Sequence, residues 1–319
     1  MLLSVVFVAA AAAALSPFPI VRESQLPLAG KRVLLAAPRT VAAPLAGALI
    51  SVGARPFWCQ SVVTEPLDEA SLEPFDEALL RLAEYDLLLL FSRDAVDAVF
   101  QRGLLLSDSN PDMLQLMMRA SGVELAALGP AALHLTAMIG LAASAVPIDP
   151  TPEGLAAVLS ALDTVRAGTK VLVPTARRRE PLGESTLEGA CLDQLRAAGC
   201  EVELVDAFAQ RLADPESVAA EQRLLHEGAV DAVCLCSALH AQGLAHLLGA
   251  EEGADSAGAL GGGDGGATFV AAVADDTEAT ALELGWSPGL VVTAGSPESQ
   301  AEALVEGLES HFGAGRLLF

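Results

Sequence analysis

Short apolar runs alternate with longer Ala/Leu-rich stretches along most of the chain, and the length and period of each run predict its element. KRVLLAAP (Lys31–Pro38) reads as a buried strand, and VAAPLAGALISVGA follows as a helix closed by Gly53. PFWCQSVV (Pro56–Val63) is the next expected strand. A linker and a helix fill Glu65–Ala83, and YDLLLLFS (Tyr85–Ser92) is the most hydrophobic strand of the chain, with a helix opening at DAVDAVFQRG behind it. VELAALG (Val123–Gly129), a helix to Gly140, a short strand near Ser144–Ile148 and a helix from Thr151 continue the rhythm. Thr151, Pro152 and Glu153 supply a cap, a first-turn proline and an early acid. KVLVPT (Lys170–Thr175), a helix ending at Gly199 and CEVELVDAF (Cys200–Phe208) come next. DAVCLCS (Asp231–Ser237), TFVAAVA (Thr268–Ala274), LVVTA (Leu290–Ala294) and a last helix complete the series.

Strand–helix alternation of this kind predicts parallel sheets with right-handed crossovers. The units also echo one another. YDLLLLFSRDAVDAV and VDAVCLCSALHAQGL share an Asp-headed apolar strand, a serine at its carboxyl end and a following helix. VELAALGPAALHLTAMIGL and TFVAAVADDTEATALELGW share strand, tight turn, helix and glycine. Two similar α/β halves follow from this repetition. Ligands of open α/β sheets sit beyond the carboxyl ends of strands, so the expected site is a cleft between the halves.

Composition supports a folded α/β chain and narrows its partners. Of 319 residues 52% are hydrophobic, while aromatics make up 4%, a mix suited to Val/Leu strands covered by Ala/Leu helices. The net charge of −23 excludes nucleic acid and anionic membrane surfaces as partners, since both need a basic face. Solubility alone accounts for the acidity. Cys59, Cys191, Cys200, Cys234 and Cys236 form no CxxC pair and read as buried, reduced thiols. His240 and His246 lie six apart, which is no helical ligand spacing, so no metal is expected.

The first 29 residues read as a leader. MLLSVVFVAAAAAAL (Met1–Leu15) is short for a membrane span, and Ser16, Pro17, Phe18 and Pro19 follow it. The run has the form of a signal-peptide core without its basic start, and a retained anchor is the weaker reading. Glu251–Gly266 is Gly-rich and acidic and reads as a flexible surface insertion.

The ordered set GKRVLLAAPR, YDLLLLFSRDAV, ALGPAALHLTAMIG, KVLVPTARRREPL, GCEVELVDAFAQR, DAVCLCSAL, AAVADDTEATALELG and SPESQAEALVEGL resembles the uroporphyrinogen-III synthase family over roughly residues 30–310. The resemblance implies two flavodoxin-like domains with parallel sheets, joined by two extended linker strands with a cleft between them. It places one domain at 31–63 plus 211–319 and the other at 64–210. It implies a cofactor-free cyclising lyase acting on hydroxymethylbilane, an open tetrapyrrole with about eight carboxylates. Water leaves to give an azafulvene, ring D attacks through its substituted carbon, and a spiro intermediate reopens and recloses with that ring inverted. A monomer is expected. Because tetrapyrrole synthesis is a plastid or cytosolic task, the leader is read as bipartite, with ALSPFP resembling the Phe-centred cleavage site of complex plastids; secretion is the alternative.

The resemblance assigns substrate contacts to Ser92, Gly129, Ser237 and Thr277, and charge adds Arg39 and Arg177. Ser92 and Ser237 stand at strand ends where a helix cap is predicted equally well. Gly129 precedes Pro130 in a turn where the missing side chain lets backbone approach a ligand. Thr277 either binds substrate or caps its helix. Arg39 and the run Arg177–Arg179 are the best cations for a polyanion, although Arg178 and Arg179 read as a solvated face. Two departures stand out. The family's tyrosine falls on Phe208, which has no proton to give, and Ala274-Asp275-Asp276-Thr277 replaces a GPTT-like turn with two acids. Leaving-group protonation would then fall to Thr277, a water or a substrate carboxyl. A non-catalytic relative that binds tetrapyrrole or a protein partner is the competing expectation.

Overall fold

The computed structural model describes residues 26–148, 152–179, 182, 186–249, 260, 268–292 and 297–313. All but 26–29 of the expected leader, and all but Leu260 of the Gly-rich stretch 251–266, lie outside the described residues. In chain order the first elements are β1 (Arg32–Ala36), α1 (Arg39–Ser51), β2 (Arg55–Cys59), β3 (Val62–Glu65), α2 (Glu69–Leu80), β4 (Leu87–Leu90) and α3 (Arg93–Leu106). Then come α4 (Pro111–Ser121), β5 (Glu124–Ala127), α5 (Gly129–Ile139), α6 (Pro152–Ser160), β6 (Lys170–Arg178), α7 (Thr186–Ala197) and β7 (Glu201–Leu212). The chain closes with α8 (Ala219–His226), β8 (Ala232–Leu235), α9 (Ala238–Leu247), β9 (Phe269–Val273), α10 (Asp275–Glu283), β10 (Leu290–Val292) and α11 (Pro297–Gly313).

Two five-stranded sheets collect these strands. The first has the order β10-β9-β8-β1-β2 and is parallel throughout. Read from β2, this is the flavodoxin-like 2-1-3-4-5 order, whose direction of travel reverses between β1 and β8. The second runs β3-β7-β6-β4-β5, parallel except that β3 lies antiparallel to β7. Its order reverses between β4 and β6.

The uniformly apolar strands follow from helices on both sheet faces. Alternate residues of β1 divide between two cores: Val33 and Leu35 meet α1 and α11, while Leu34 and Ala36 meet α8, α9 and α10. In β4, Leu88 and Leu90 join the core under α2 to α5, whereas Leu87 and Leu89 join that under α6 and α7. All four leucines are fully buried, each stabilising the fold by about 2 kcal/mol.

Three expectations change. Pro56–Val63 is not one strand: β2 ends at Cys59, the chain turns at Gln60–Ser61, and β3 enters the other sheet. Fully buried Ser61 secures that corner by donating to the His240 carbonyl at 2.9 Å. The strand expected near Ser144–Ile148 is a single parallel bridge between Ala145 and Ala126. Strands β6 and β7 outrun their apolar segments, and the β7 extension pairs with β3, so charged linker residues take up the ladder that hydrophobicity could not signal. Helices α4 and α8 were not anticipated; α4 begins at an Asn110 cap with Pro111 behind it and stops at Gly122, whose φ is 74°.

Candidate active site

The chemistry-bearing residues expected from sequence gather at the carboxyl ends of the parallel strands. Arg39 opens α1 just past β1, and Ser237 caps α9 just past β8, so the pair flanks the reversal point of the first sheet. Arg39 is exposed, its guanidinium 6.0 Å from the centre of the Trp58 ring. Ser237 Oγ accepts the His240 backbone N–H at 3.2 Å and lies 2.8 Å from His240 Nδ1. Burial pushes His240 down to about 4, so the ring is neutral over the physiological range. When Nδ1 carries the ring proton, the serine hydroxyl is free to donate outward; in the other tautomer that hydroxyl donates to Nδ1.

In the second sheet Ser92 caps α3 behind β4, accepting from the Ala95 N–H at 3.1 Å. Gly129 opens α5 behind the neighbouring β5, followed by Pro130. Arg177, near the end of β6, is exposed but engaged: its Nε donates to Asp206 at 2.7 Å and a terminal nitrogen donates to Ser71 Oγ at 2.8 Å. Thus both serines cap helices, and Arg177 enters the site as half of an ion pair.

Thr277 and Phe208 sit deeper. Thr277 is 1% exposed within α10, and its hydroxyl lies 3.4 Å from Asp276 Oδ1. Burial, with Asp275 beside it, raises the Asp276 pKa, although hydrogen bonds from the turn oppose this. Ala274, which leads this turn, holds φ 74° and ψ 153°, a region used almost only by glycine. Phe208 is 7% exposed and belongs to the core beneath α2 and α3. The β6–β7 register explains its place: Thr175 faces Asp206 but Ala176 faces Phe208, so Ala207 is a bulge residue and the three successive residues Ala207, Phe208 and Ala209 join one core.

A group that sequence reasoning missed stands beside Ser92. Thr64 of β3 donates to Asp94 Oδ2 at 3.0 Å, and His134 Nε2 lies 2.6 Å from Asp97 Oδ1. The signal was present as two aspartates three apart behind Ser92, one turn of α3. Likewise, His240 occupies the third position after a capping serine, where a capping-box partner stands.

Linker residues form a second cluster. Glu65 of β3 accepts from Arg211 Nε at 2.8 Å and pairs with Arg179 at 3.1 Å; Arg211 also reaches Asp214 at 3.3 Å. The Arg211 hydrogen bond holds the Glu65 carboxyl below its usual range. A cavity of about 260 Å³ lined by Arg81, Tyr85, Lys170 and Glu203 lies at the opposite, amino ends of β4, β6 and β7. No cluster of metal-ligating side chains occurs among the described residues.

The family model of uroporphyrinogen-III synthase HemD matches residues 43–306. The chain belongs to the uroporphyrinogen-III synthase family. It is therefore a cyclising lyase of tetrapyrrole biosynthesis, and the family implies hydroxymethylbilane as its substrate. A methionine-substituted uroporphyrinogen III synthase from Thermus thermophilus is similar at 21% identity and a TM-score of 0.56, over 88% of this chain and 100% of that one. The wild-type protein from the same bacterium matches at 20% identity and a TM-score of 0.41, over 88% and 99% of the two chains. At this identity the first of these likenesses speaks for the fold alone, two α/β domains with parallel sheets. No curated protein matches the sequence.

Proposed function

We propose that hydroxymethylbilane lies folded between the carboxyl edges of the two sheets. Arg39, Ser237 and the Ala274–Thr277 turn meet it from one side; Ser92, Gly129 and Arg177 meet it from the other. One observation carries this reading: these positions, scattered from residue 39 to residue 277, all fall at the carboxyl ends of parallel strands. N–H groups at the starts of α1, α3, α5, α9 and α10 supply donors for the substrate's carboxylates, while Arg39 and Arg177 supply charge. With Thr277 buried, its turn takes part through backbone. Orientation does most of the work, because ring inversion needs the first and last pyrroles held face to face.

The test is the isomer ratio of porphyrinogens made from hydroxymethylbilane by the purified protein. The inverted type III ring in excess is the expected result. Only the uninverted type I ring, at the unassisted rate, would overturn the reading. Tight bilane binding without turnover would support the non-catalytic alternative that Phe208 raises.

The protein is further proposed to act as a monomer in a plastid, delivered by its bipartite leader and without stable membrane attachment once that leader is removed. Among the described residues no helix is long and apolar enough to cross a membrane. A fluorescent fusion of residues 1–40 should collect in plastids; secretion of the fusion would remove this assignment. Light scattering at the mass of one 32.7 kDa chain, less the leader, checks the monomer.

A further inference from the structure

We propose that Asp94 is the general acid that protonates the departing hydroxyl of hydroxymethylbilane, with Thr64, Asp97 and His134 positioning and tuning it. The inference rests on the site reading above. It begins from a vacancy in chemistry: the reaction must expel hydroxide, a poor leaving group, and the position where the family carries a tyrosine holds Phe208, a buried hydrocarbon.

Asp94 is placed where the acid is needed. It sits in the first turn of α3, two residues past the Ser92 cap, at the carboxyl end of β4. Gly129 and the start of α5 follow the neighbouring strand, because β4 and β5 are paired. The β3–β7 ladder extends past this same edge of the sheet, and from it Thr64 reaches Asp94 Oδ2 at 3.0 Å. Asp94 is half-buried, so its carboxyl is partly withdrawn from water yet keeps an open side.

The surroundings favour the acid form. Burial raises the Asp94 pKa above the usual carboxylate range, and Asp97 adds to the effect, while the Thr64 hydrogen bond and His134 oppose it. These three, from β3, α3 and α5, are the groups acting on the carboxyl. The other ion network of α3, Arg102 with Asp76 and Glu69 of α2, lies about two turns further along. His134 held on Asp97 at 2.6 Å keeps α3 and α5 in a fixed relation around the site.

The step balances. Asp94 gives its proton to the hydroxyl oxygen; the carbon–oxygen bond breaks with its electron pair on oxygen, and water leaves. The positive charge left on the pyrrole, the protonated azafulvene, faces the new Asp94 carboxylate. After ring D has attacked, the spiro bond has opened and the ring has reclosed, a ring-carbon proton returns to Asp94 and restores the acid. No oxidant, reductant or metal enters.

The experiment is the pH profile of kcat for type III ring formation by wild type, Asp94→Asn, Thr64→Val and Asp97→Asn. Wild type should lose activity as pH rises through the Asp94 pKa. Asp94→Asn should lower kcat by about 10²- to 10⁴-fold with KM little changed, and should abolish that limb. Thr64→Val removes a bond that favours the carboxylate and should move the limb to higher pH. Asp97→Asn removes a like charge and should move it lower. An Asp94→Asn protein with wild-type kcat, or limbs that stay fixed in both neighbouring variants, overturns the proposal. A wild type that makes no type III ring overturns the site reading itself, so the two failures are distinct.

Discussion

Ser237 Oγ and His240 Nδ1 stand 2.8 Å apart within the first turn of α9, and the same serine caps that helix through the His240 N–H. The histidine is 7% exposed, and burial lowers it from 6.5 to about 4. Between those values the unfolded chain binds a proton that the folded chain refuses, so stability rises with pH across this window and is level above it. The contribution, lost as pH falls from neutrality towards 4, is on the order of 3 kcal/mol. Urea unfolding at pH 7 and at pH 4.5 should show this loss in wild type and a smaller one in His240→Gln. Equal losses in the two proteins would mean that His240 does not titrate as its burial implies.

The next helical turn brings α9 against the linker. A Cβ on Gly243 would lie 2.9 Å from Val62 Cγ2 and 3.1 Å from the Ser61 carbonyl oxygen. Alanine in a helix interior normally gains about 1 kcal/mol over glycine, whereas overpacking costs about 1–3 kcal/mol. Here backbone and a stiff β-branched side chain form the obstacle, so the steric cost wins. Gly243→Ala should destabilise by about 1 kcal/mol. Gly47→Ala, at an exposed position of α1 with nothing within 4 Å of the added carbon, should instead stabilise by up to about 1 kcal/mol. Stabilisation of both variants in urea titrations would contradict close docking of α9 on the linker.

Much of this architecture was legible because buried parallel strands leave a plain record. Leu87–Leu90 and Ala232–Leu235 are apolar at every position, as strands covered on both faces must be. For the serines behind them position suggests a cap as readily as a substrate contact, and both are caps. The linker strands were implied by the family resemblance, but their pairing left no mark in the hydrophobic pattern because the partners are distant. Thr64 faces Gln210 and Val63 faces Arg211, residues whose polarity says nothing of a strand until the ladder is seen. The Asp94 group was hidden for the same reason: Thr64 is 30 residues away and His134 lies 37 beyond Asp97. Phe208 was visible as a departure, but its burial depends on a bulge that no periodicity predicts.

Ala274 carries the last prediction. At φ 74° and ψ 153° its Cβ is in a region that costs about 1–3 kcal/mol for a non-glycine residue, and the conformation is held by its N–H donating to Val292 O at 2.8 Å. Glycine relieves the strain but gives the unfolded chain more freedom, worth about 0.5–1 kcal/mol. The net effect of Ala274→Gly should be a stabilisation of about 1 kcal/mol, read as a higher urea midpoint with an unchanged slope. Strain of this kind persists where surrounding structure enforces it, and here it fixes the turn that presents Asp276 and the start of α10 to the site. A stabilised variant with lowered kcat would mean that the stiff turn positions substrate. A variant no more stable than wild type would mean that the turn bears no strain.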